Sequence, residues 1–277
     1  MSKDIKLKSY AKINISLNII SKEKYGNHKI ESLFSFIDLY DEIFIKKIKS
    51  KNHKISFVGK YSKNIGKKNT VSKLMKILDK VILHNKMKYF IKINKKIPQK
   101  AGLGGGSMNA ATVLNYLSRK RDKNYKIANL IGSDVKLGLN KYNKILLSSE
   151  QIIKIKKNLN MNLLIIKPFF GCSTKEIYSK VKNFSSINFK NFKKNLINKT
   201  NFKKYKNDLE KIVLNKYPSL LNLKRSISKL PKISFVRMTG SGSCFIAYFN
   251  SKIDTINAAK IFKKKHKNYL CIISKTI

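Results

Sequence analysis

The chain is poor in the residues that staple or punctuate a fold: of 277 positions, three are Cys, four are Pro and none is Trp. Cys172, Cys244 and Cys271 are widely spaced and form no Cys-x-x-Cys pair, so neither a disulfide framework nor a zinc site is indicated. A reducing cytoplasm fits best. No apolar run approaches the roughly 18 residues that a membrane helix needs, and Met1-Ser2-Lys3-Asp4 leads into an alternating segment without the marks of a secretory leader. Neither membrane nor export is expected. Acids are scarce as well, fourteen against sixty-one Lys and Arg, for a formal charge of +47. So large an excess points to a polyanion partner when it gathers in a tail or stripe, but here the lysines run through the whole chain among Asn and Ile. The reading preferred is a solvated lysine-rich surface and no nucleic acid partner. An RNA-binding protein is the remote alternative, although no aromatic-basic motif of the RNP1 kind is present.

Glycine is sparing too, yet four of the twelve fall within residues 102–106. The segment reads Pro98-Gln99-Lys100-Ala101-Gly102-Leu103-Gly104-Gly105-Gly106-Ser107-Met108-Asn109-Ala110-Ala111. Ala110, Val113, Leu114 and Leu117 form an apolar stripe of helical period behind it, with Ser107 as the candidate N-cap. A glycine loop feeding a helix N-terminus offers bare N–H groups and a positive dipole end, a recurrent way for backbone to hold phosphate. Two familiar loops do not fit. A Walker A loop needs Gly-Lys-Ser/Thr where Gly106 is followed by Ser107-Met108, and a dinucleotide fingerprint from Gly102 needs glycine at 107.

Along the chain, residues 10–19 alternate, with Ala11, Ile13, Ile15, Leu17 and Ile19 on one face and Lys12, Asn14, Ser16 and Asn18 on the other. This predicts one half-buried strand whose polar face looks away from the core. Further strands are predicted over 38–46, 89–93 and 162–168, a helix begins after Asn69, and residues 235–247 read as strand, glycine turn, strand. A polar stretch before residue 158 divides an N-terminal domain, 1–157, from a C-terminal one, 158–277. Asp134, in Gly132-Ser133-Asp134-Val135, either caps a short helix or serves chemistry.

The glycine segment resembles the phosphate-binding motif of the GHMP kinase superfamily. Ala11-Lys12-Ile13-Asn14-Ile15, Gly26-Asn27-His28 and Gly132-Ser133-Asp134-Val135 are similar to further motifs of its 4-diphosphocytidyl-2-C-methyl-D-erythritol kinase subfamily, and Thr239-Gly240-Ser241-Gly242 to the third superfamily motif. The resemblance runs through nearly the whole chain, departing at Asn27, where the subfamily has tyrosine, and at Lys136, where it has proline. It implies an α+β fold of two domains with the active site in the cleft between them. It also implies a cytoplasmic kinase, monomer or homodimer, that moves the γ-phosphoryl group of ATP, with Mg²⁺, to the 2-hydroxyl of 4-diphosphocytidyl-2-C-methyl-D-erythritol. Homoserine and mevalonate are the acceptors of the nearer alternatives.

The implied roles follow the motifs. Lys12 and Asp134 would act on the acceptor hydroxyl, the aspartate as base. Residues 98–108 and Asn69 would hold the nucleotide. Asn14, His28, Tyr178, Gly240, Ser241 and Gly242 would line the acceptor. No protein metal site is expected, beyond a touch of Ser107 on Mg²⁺. Asn207-Asp208-Leu209-Glu210 matches a further element of the family and reads as structural.

Overall fold

The computed structural model describes residues 5–23, 28–83, 87–118, 120–156, 158–187, 189 and 199–277. In chain order its elements are β1 Ile5–Asn14, β2 Asn18–Lys22, β3 His28–Ile48, β4 Lys54–Val58, α1 Thr70–Leu78, β5 Lys88–Asn94, α2 Gly105–Leu117, α3 Arg121–Ile131, α4 Ser133–Leu137, β6 Asn143–Leu146, β7 Ile152–Ile155, β8 Asn162–Pro168, α5 Thr174–Ser179, α6 Lys199–Lys204, α7 Asp208–Lys216, α8 Pro218–Ser228, β9 Phe235–Met238, β10 Phe245–Phe249, α9 Lys252–Lys265 and β11 Tyr269–Lys275. Helices and mostly antiparallel strands share the chain, which makes the class α+β.

Two compact units form, each from three pieces of chain: Met1–Lys12, Leu39–Gln99 and Gly104–Lys141 in the first, Ile13–Asp38, Lys100–Leu103 and Tyr142–Ile277 in the second. In the first, the end of β3 pairs antiparallel with β5, Glu42 opposite Asn94 and Ile48 opposite Lys88, and β4 pairs parallel with β5. Ile43, Ile45, Ile91 and Ile93 alternate inward from these strands. Helix α1 answers with Val71, Leu74, Met75 and Leu78 at i, i+3, i+4 and i+7, and α2 with Ala110, Ala111, Val113 and Leu114. One core results.

In the second unit the order β11-β8-β10-β9 makes a four-stranded antiparallel sheet, with β8 between two neighbours. Leu163, Leu164, Ile165 and Ile166 are all fully buried, as the continuous apolar run predicts for a strand covered on both faces. Leu209, Val213, Leu220, Leu223, Ile227, Ala258 and Phe262 of α7, α8 and α9 complete this core. β3 begins in this unit, pairing with β2 and, through Ser32, Leu33 and Phe34, with β6.

The strand predicted over 10–19 is instead two, β1 and β2, interrupted at residues 15–17. Its apolar face is buried as expected, but Lys12, Asn14, Ser16 and Asn18 are no more than 4% exposed. Lys12, Asn14 and Ser16 have polar partners: Lys12 pairs with Asp134, Asn14 Nδ2 donates to Ser32 Oγ, Ser16 Oγ accepts the Leu33 N–H at 2.9 Å, and Ser32 Oγ donates to the Ser16 carbonyl at 2.6 Å. Hydrogen bonding removes the cost that would have kept such side chains in water.

Lys144 on β6 is fully buried, its ammonium 5.4 Å from the Phe34 ring centre and 5.0 Å from that of Phe36. Burial, with a smaller push from the Lys154 charge, lowers its pKa to about 7. As pH falls from the ordinary lysine value of 10.5 toward 7, the unfolded chain takes up a proton that the folded one does not, so this residue increasingly favours unfolding. Replacing Lys144 with Met is therefore expected to help stability more at pH 7 than at pH 9, by about 1–2 kcal/mol. Denaturant melts of both proteins at the two pH values check it; an equal effect at both would count against the buried amine.

Candidate functional site

In the first unit, Gln99 leads into the glycine segment tied down by its side chain, Nε2 donating to the carbonyls of Tyr61 at 2.6 Å and Lys63 at 2.8 Å. Pro98 beside it is buried. Helix α2 starts at Gly105, three residues before the start the sequence suggests, and its N-cap is Gly104 with φ +68°, not Ser107. A residue without Cβ takes that left-handed conformation at little cost, so the helix winds earlier. The first helical bond runs from Met108 N–H to the Gly104 carbonyl at 2.9 Å. Gly105, Gly106 and Ser107 thus make up the first turn, whose N–H groups lack intrahelical partners. Thr70 Oγ1 donates to the Gly106 carbonyl at 2.9 Å and holds that turn from outside.

Asn69 is the N-cap of α1. Its Oδ1 accepts the Ser72 N–H at 3.0 Å, while Ser72 Oγ accepts the Asn69 N–H at 2.9 Å, a reciprocal capping box. Lys12 and Asp134 lie 122 positions apart in sequence, yet Lys12 Nζ stands 3.1 Å from Asp134 Oδ2. The lysine side chain is 5% exposed and the carboxylate 36%, so the pair has a closed end and an open one. Asp134 sits in the first turn of α4, where Gly132 is the N-cap and no side chain caps. The stem of Lys12 lies against Gly104: a Cβ there would meet Lys12 Cγ and Cε at 2.9 Å. Below the same turn, Asp41 accepts from Lys95 Nζ and from the N–H groups of Lys96 and Ile97, and Lys95 Nζ approaches Gly105.

In the second unit, Ala101 and Leu103 are buried on either side of Gly102, and Lys100 and Gly102 both have positive φ, +49° and +73°. A Cβ on Gly102 would overlap the Thr239 carbonyl oxygen, so only glycine fits. Thr239 Oγ1 accepts the Asn14 N–H at 3.0 Å and donates to the Gly102 carbonyl at 3.3 Å. Gly240 and Gly242, at φ +54° and +84°, form the turn beyond it, and Ser241 Oγ shares a 2.8 Å hydrogen bond with Thr174 Oγ1. Asn14 Nδ2 donates to Ser32 Oγ at 2.8 Å.

His28 at the start of β3 faces Tyr178 of α5, ring centres 5.2 Å apart and tilted by 50°. Burial, and next the charge of Lys22, lowers the His28 pKa, which favours the neutral ring. Its Nε2 is buried with no hydrogen-bond partner among the described residues. A neutral imidazole with an unused nitrogen beside an aromatic ring suits a planar, hydrogen-bonding ligand. Tyr25, Gly26 and Asn27 lie outside the described residues. Sequence reasoning missed Thr70, Ser32 and Thr239, lone hydroxyls without a spacing signal, though Thr239 borders the glycine turn that was singled out.

Among the described residues no three His, Cys, Asp or Glu side chains converge as metal ligands, and no helix is long and apolar enough to cross a membrane. Oxygen donors of the kind that suit Mg²⁺ are nevertheless present, the Ser107 hydroxyl and the open Asp134 carboxylate.

The comparisons with known proteins agree along the whole chain. The GHMP kinases N terminal domain matches residues 69–138 and the GHMP kinases C terminal domain residues 186–268. A 4-diphosphocytidyl-2-C-methyl-D-erythritol kinase from Pelagibacter ubique is 51% identical, covering 98% of this chain and 99% of its own. A kinase of the same name from Clostridium perfringens is 32% identical over 99% of this chain and 98% of its own. Among solved structures, a 4-(cytidine 5'-diphospho)-2C-methyl-D-erythritol kinase is similar with a TM-score of 0.79 at 21% identity, covering 99% of this chain and 100% of that one. A homoserine kinase from Cytophaga hutchinsonii gives 0.71 at 16%, covering 100% and 96%. At such identities the structures speak for the fold alone.

Exchanging Gly104 for Ala sets a methyl group in left-handed backbone, at about 1–2 kcal/mol, and against the Lys12 stem. The expected outcome is a modest fall in melting midpoint with a larger fall in turnover, since Lys12 must move. Gly66→Ala, where nothing lies within 4 Å of the added carbon, is the control expected to do neither. Parallel melts and turnover measurements on the two variants check it.

Proposed function

The chain belongs to the 4-diphosphocytidyl-2-C-methyl-D-erythritol kinase family of the GHMP kinases, and from that premise we propose that it transfers the γ-phosphoryl group of ATP to the 2-hydroxyl of that cytidyl alcohol. The step belongs to the non-mevalonate route to isoprenoids and would run in the cytoplasm, in a monomer or homodimer. The single observation that carries the chemistry is the pairing of Lys12 Nζ with Asp134 Oδ2 at 3.1 Å, with Gly104, the N-cap of the glycine-loop helix, against the lysine stem.

Phosphoryl transfer to an alcohol needs charge compensation on the phosphates, an acceptor oxygen held in line, and a destination for its proton. The N–H groups of the first turn of α2, from Gly105 to Ser107, have no intrahelical partners and supply the first, with the helix dipole behind them. Residues 98–108 are the nucleotide loop, with Asn69 at the adenine end through the capped start of α1. Mg²⁺, if bound, would neutralise phosphate charge, and the Ser107 hydroxyl would be the oxygen available to hold it. Asp134 accepts the proton of the acceptor hydroxyl, and Lys12 steadies the negative charge that grows on the oxygen.

The cytidyl half of the acceptor suits the second unit. His28 offers its unused Nε2 to the base, Tyr178 covers a ring face, and Asn14 with residues 240–242 lines the remainder. Division of the chain at 157/158 leaves one matched family domain on either side, an ATP-binding half and a C-terminal half.

A coupled ADP-release assay with 4-diphosphocytidyl-2-C-methyl-D-erythritol, homoserine and mevalonate as rival acceptors tests the assignment. Turnover is expected with the cytidyl alcohol alone; preference for either rival would replace it. Lys12→Ala and Asp134→Ala are each expected to lower kcat by about 10²–10⁴-fold while nucleotide affinity changes little. Near-normal kcat in both variants would remove the roles given to them.

A further inference from the structure

The segment Asn207-Asp208-Leu209-Glu210 has no part in the chemistry above, yet its polar atoms are spent on one small region. Asn207 is 5% exposed and is the N-cap of α7, its Oδ1 accepting the Leu209 N–H at 3.1 Å. Its Nδ2 points elsewhere, donating at 2.8 Å to the Met238 carbonyl and at 2.8 Å to the Gly240 carbonyl. These two carbonyls flank Thr239. Glu210 Oε2 accepts the Met238 N–H at 2.8 Å and is itself paired with Lys224.

Thr239 in turn touches both stretches that the proposed chemistry depends on. Its hydroxyl bridges the Asn14 N–H and the Gly102 carbonyl, and its own carbonyl lies where a Gly102 side chain would be. Gly240 follows, so close to Gly102 that a Cβ would come within 3.1 Å of the Gly102 carbonyl oxygen. The same α7 start also grips the chain beyond Asn14: Leu17 N–H donates to the Lys206 carbonyl, Asp208 N–H to the Leu17 carbonyl, and Ile19 N–H to Asp208 Oδ2 at 2.7 Å. Asn207 is thus a joint between a helix start and a glycine turn, and through that turn it bears on the first glycine of the nucleotide loop.

We infer that Asn207 is a positioning residue for the nucleotide loop: by holding the carbonyls of Met238 and Gly240 it fixes Thr239, and Thr239 fixes Gly102 and the Asn14 backbone. The inference rests on the proposed kinase function for the identity of the ligand, not for the geometry. A merely structural residue would lower stability and leave nucleotide affinity alone.

Asn207→Asp separates the two, because it keeps the oxygen that caps α7 and exchanges the donating nitrogen for an oxygen facing two carbonyls. A non-hydrolysable ATP analogue titrated by calorimetry is expected to bind this variant at least tenfold more weakly. KM for ATP should rise in step. Leu223→Ala, a core truncation on α8 remote from these hydrogen bonds, is the control; its melting midpoint should fall at least as far while its analogue affinity stays within twofold of the parent. Should Asn207→Asp not fold, Thr239→Val removes only the hydroxyl that links the turn to Gly102 and Asn14, and is expected to weaken the analogue similarly, with Thr239→Ser restoring it. Parental affinity in Asn207→Asp, or in Thr239→Val where that variant stands in for it, would overturn the inference, as would an equal loss in Leu223→Ala. A parent protein that binds the analogue but leaves the cytidyl alcohol unphosphorylated would overturn the acceptor assignment alone, and one that binds no analogue would overturn both.

Discussion

A lysine stem lying across a residue with no side chain is the contact on which the candidate site depends. Gly104 allows the left-handed cap that starts α2 and leaves space for Lys12 to reach Asp134 with little of its length in water. Any Cβ at that position contends with both demands. The glycine therefore couples the helix N-terminus, where phosphate charge would be met, to the lysine and carboxylate that would act on the acceptor.

A second close approach, here of backbone to backbone, occurs at Gly102, where again a side chain would not fit. Thr239 stands where a side chain would be, and its hydroxyl is shared between two stretches of chain that are far apart in sequence. Hydroxyls and amides of this kind, Thr239, Asn207 and Thr70, are each bonded to carbonyls of glycine segments. Glycine supplies the conformations, and its neighbours must supply the rigidity that glycine lacks.

The very large positive charge plays no visible part in this arrangement. Of the lysines named at the site, Lys12 and Lys95 are buried and each meets a carboxylate, Asp134 and Asp41. Scarcity of acids makes these pairs conspicuous, since only fourteen Asp and Glu are available to sixty-one Lys and Arg. At these two positions a buried charge is kept with a partner, as the cost of desolvation requires.

Much was legible without coordinates because local rules are read locally. The apolar periods of α1, α2 and β8, the glycine loop ahead of a helix, and the motifs carrying Lys12, His28 and Asp134 are all written in neighbouring residues. What neighbouring residues cannot encode is who arrives from elsewhere in the chain. The polar face of residues 10–19 reads as solvent-facing until Ser32, Leu33 and Asp134 meet it. Sequence alone determined the fold class, the loop and the residue types the chemistry needs. Tertiary structure decided which of them touch, since hydrogen bonds and ion pairs between positions more than a hundred residues apart exist only once the chain has closed upon itself.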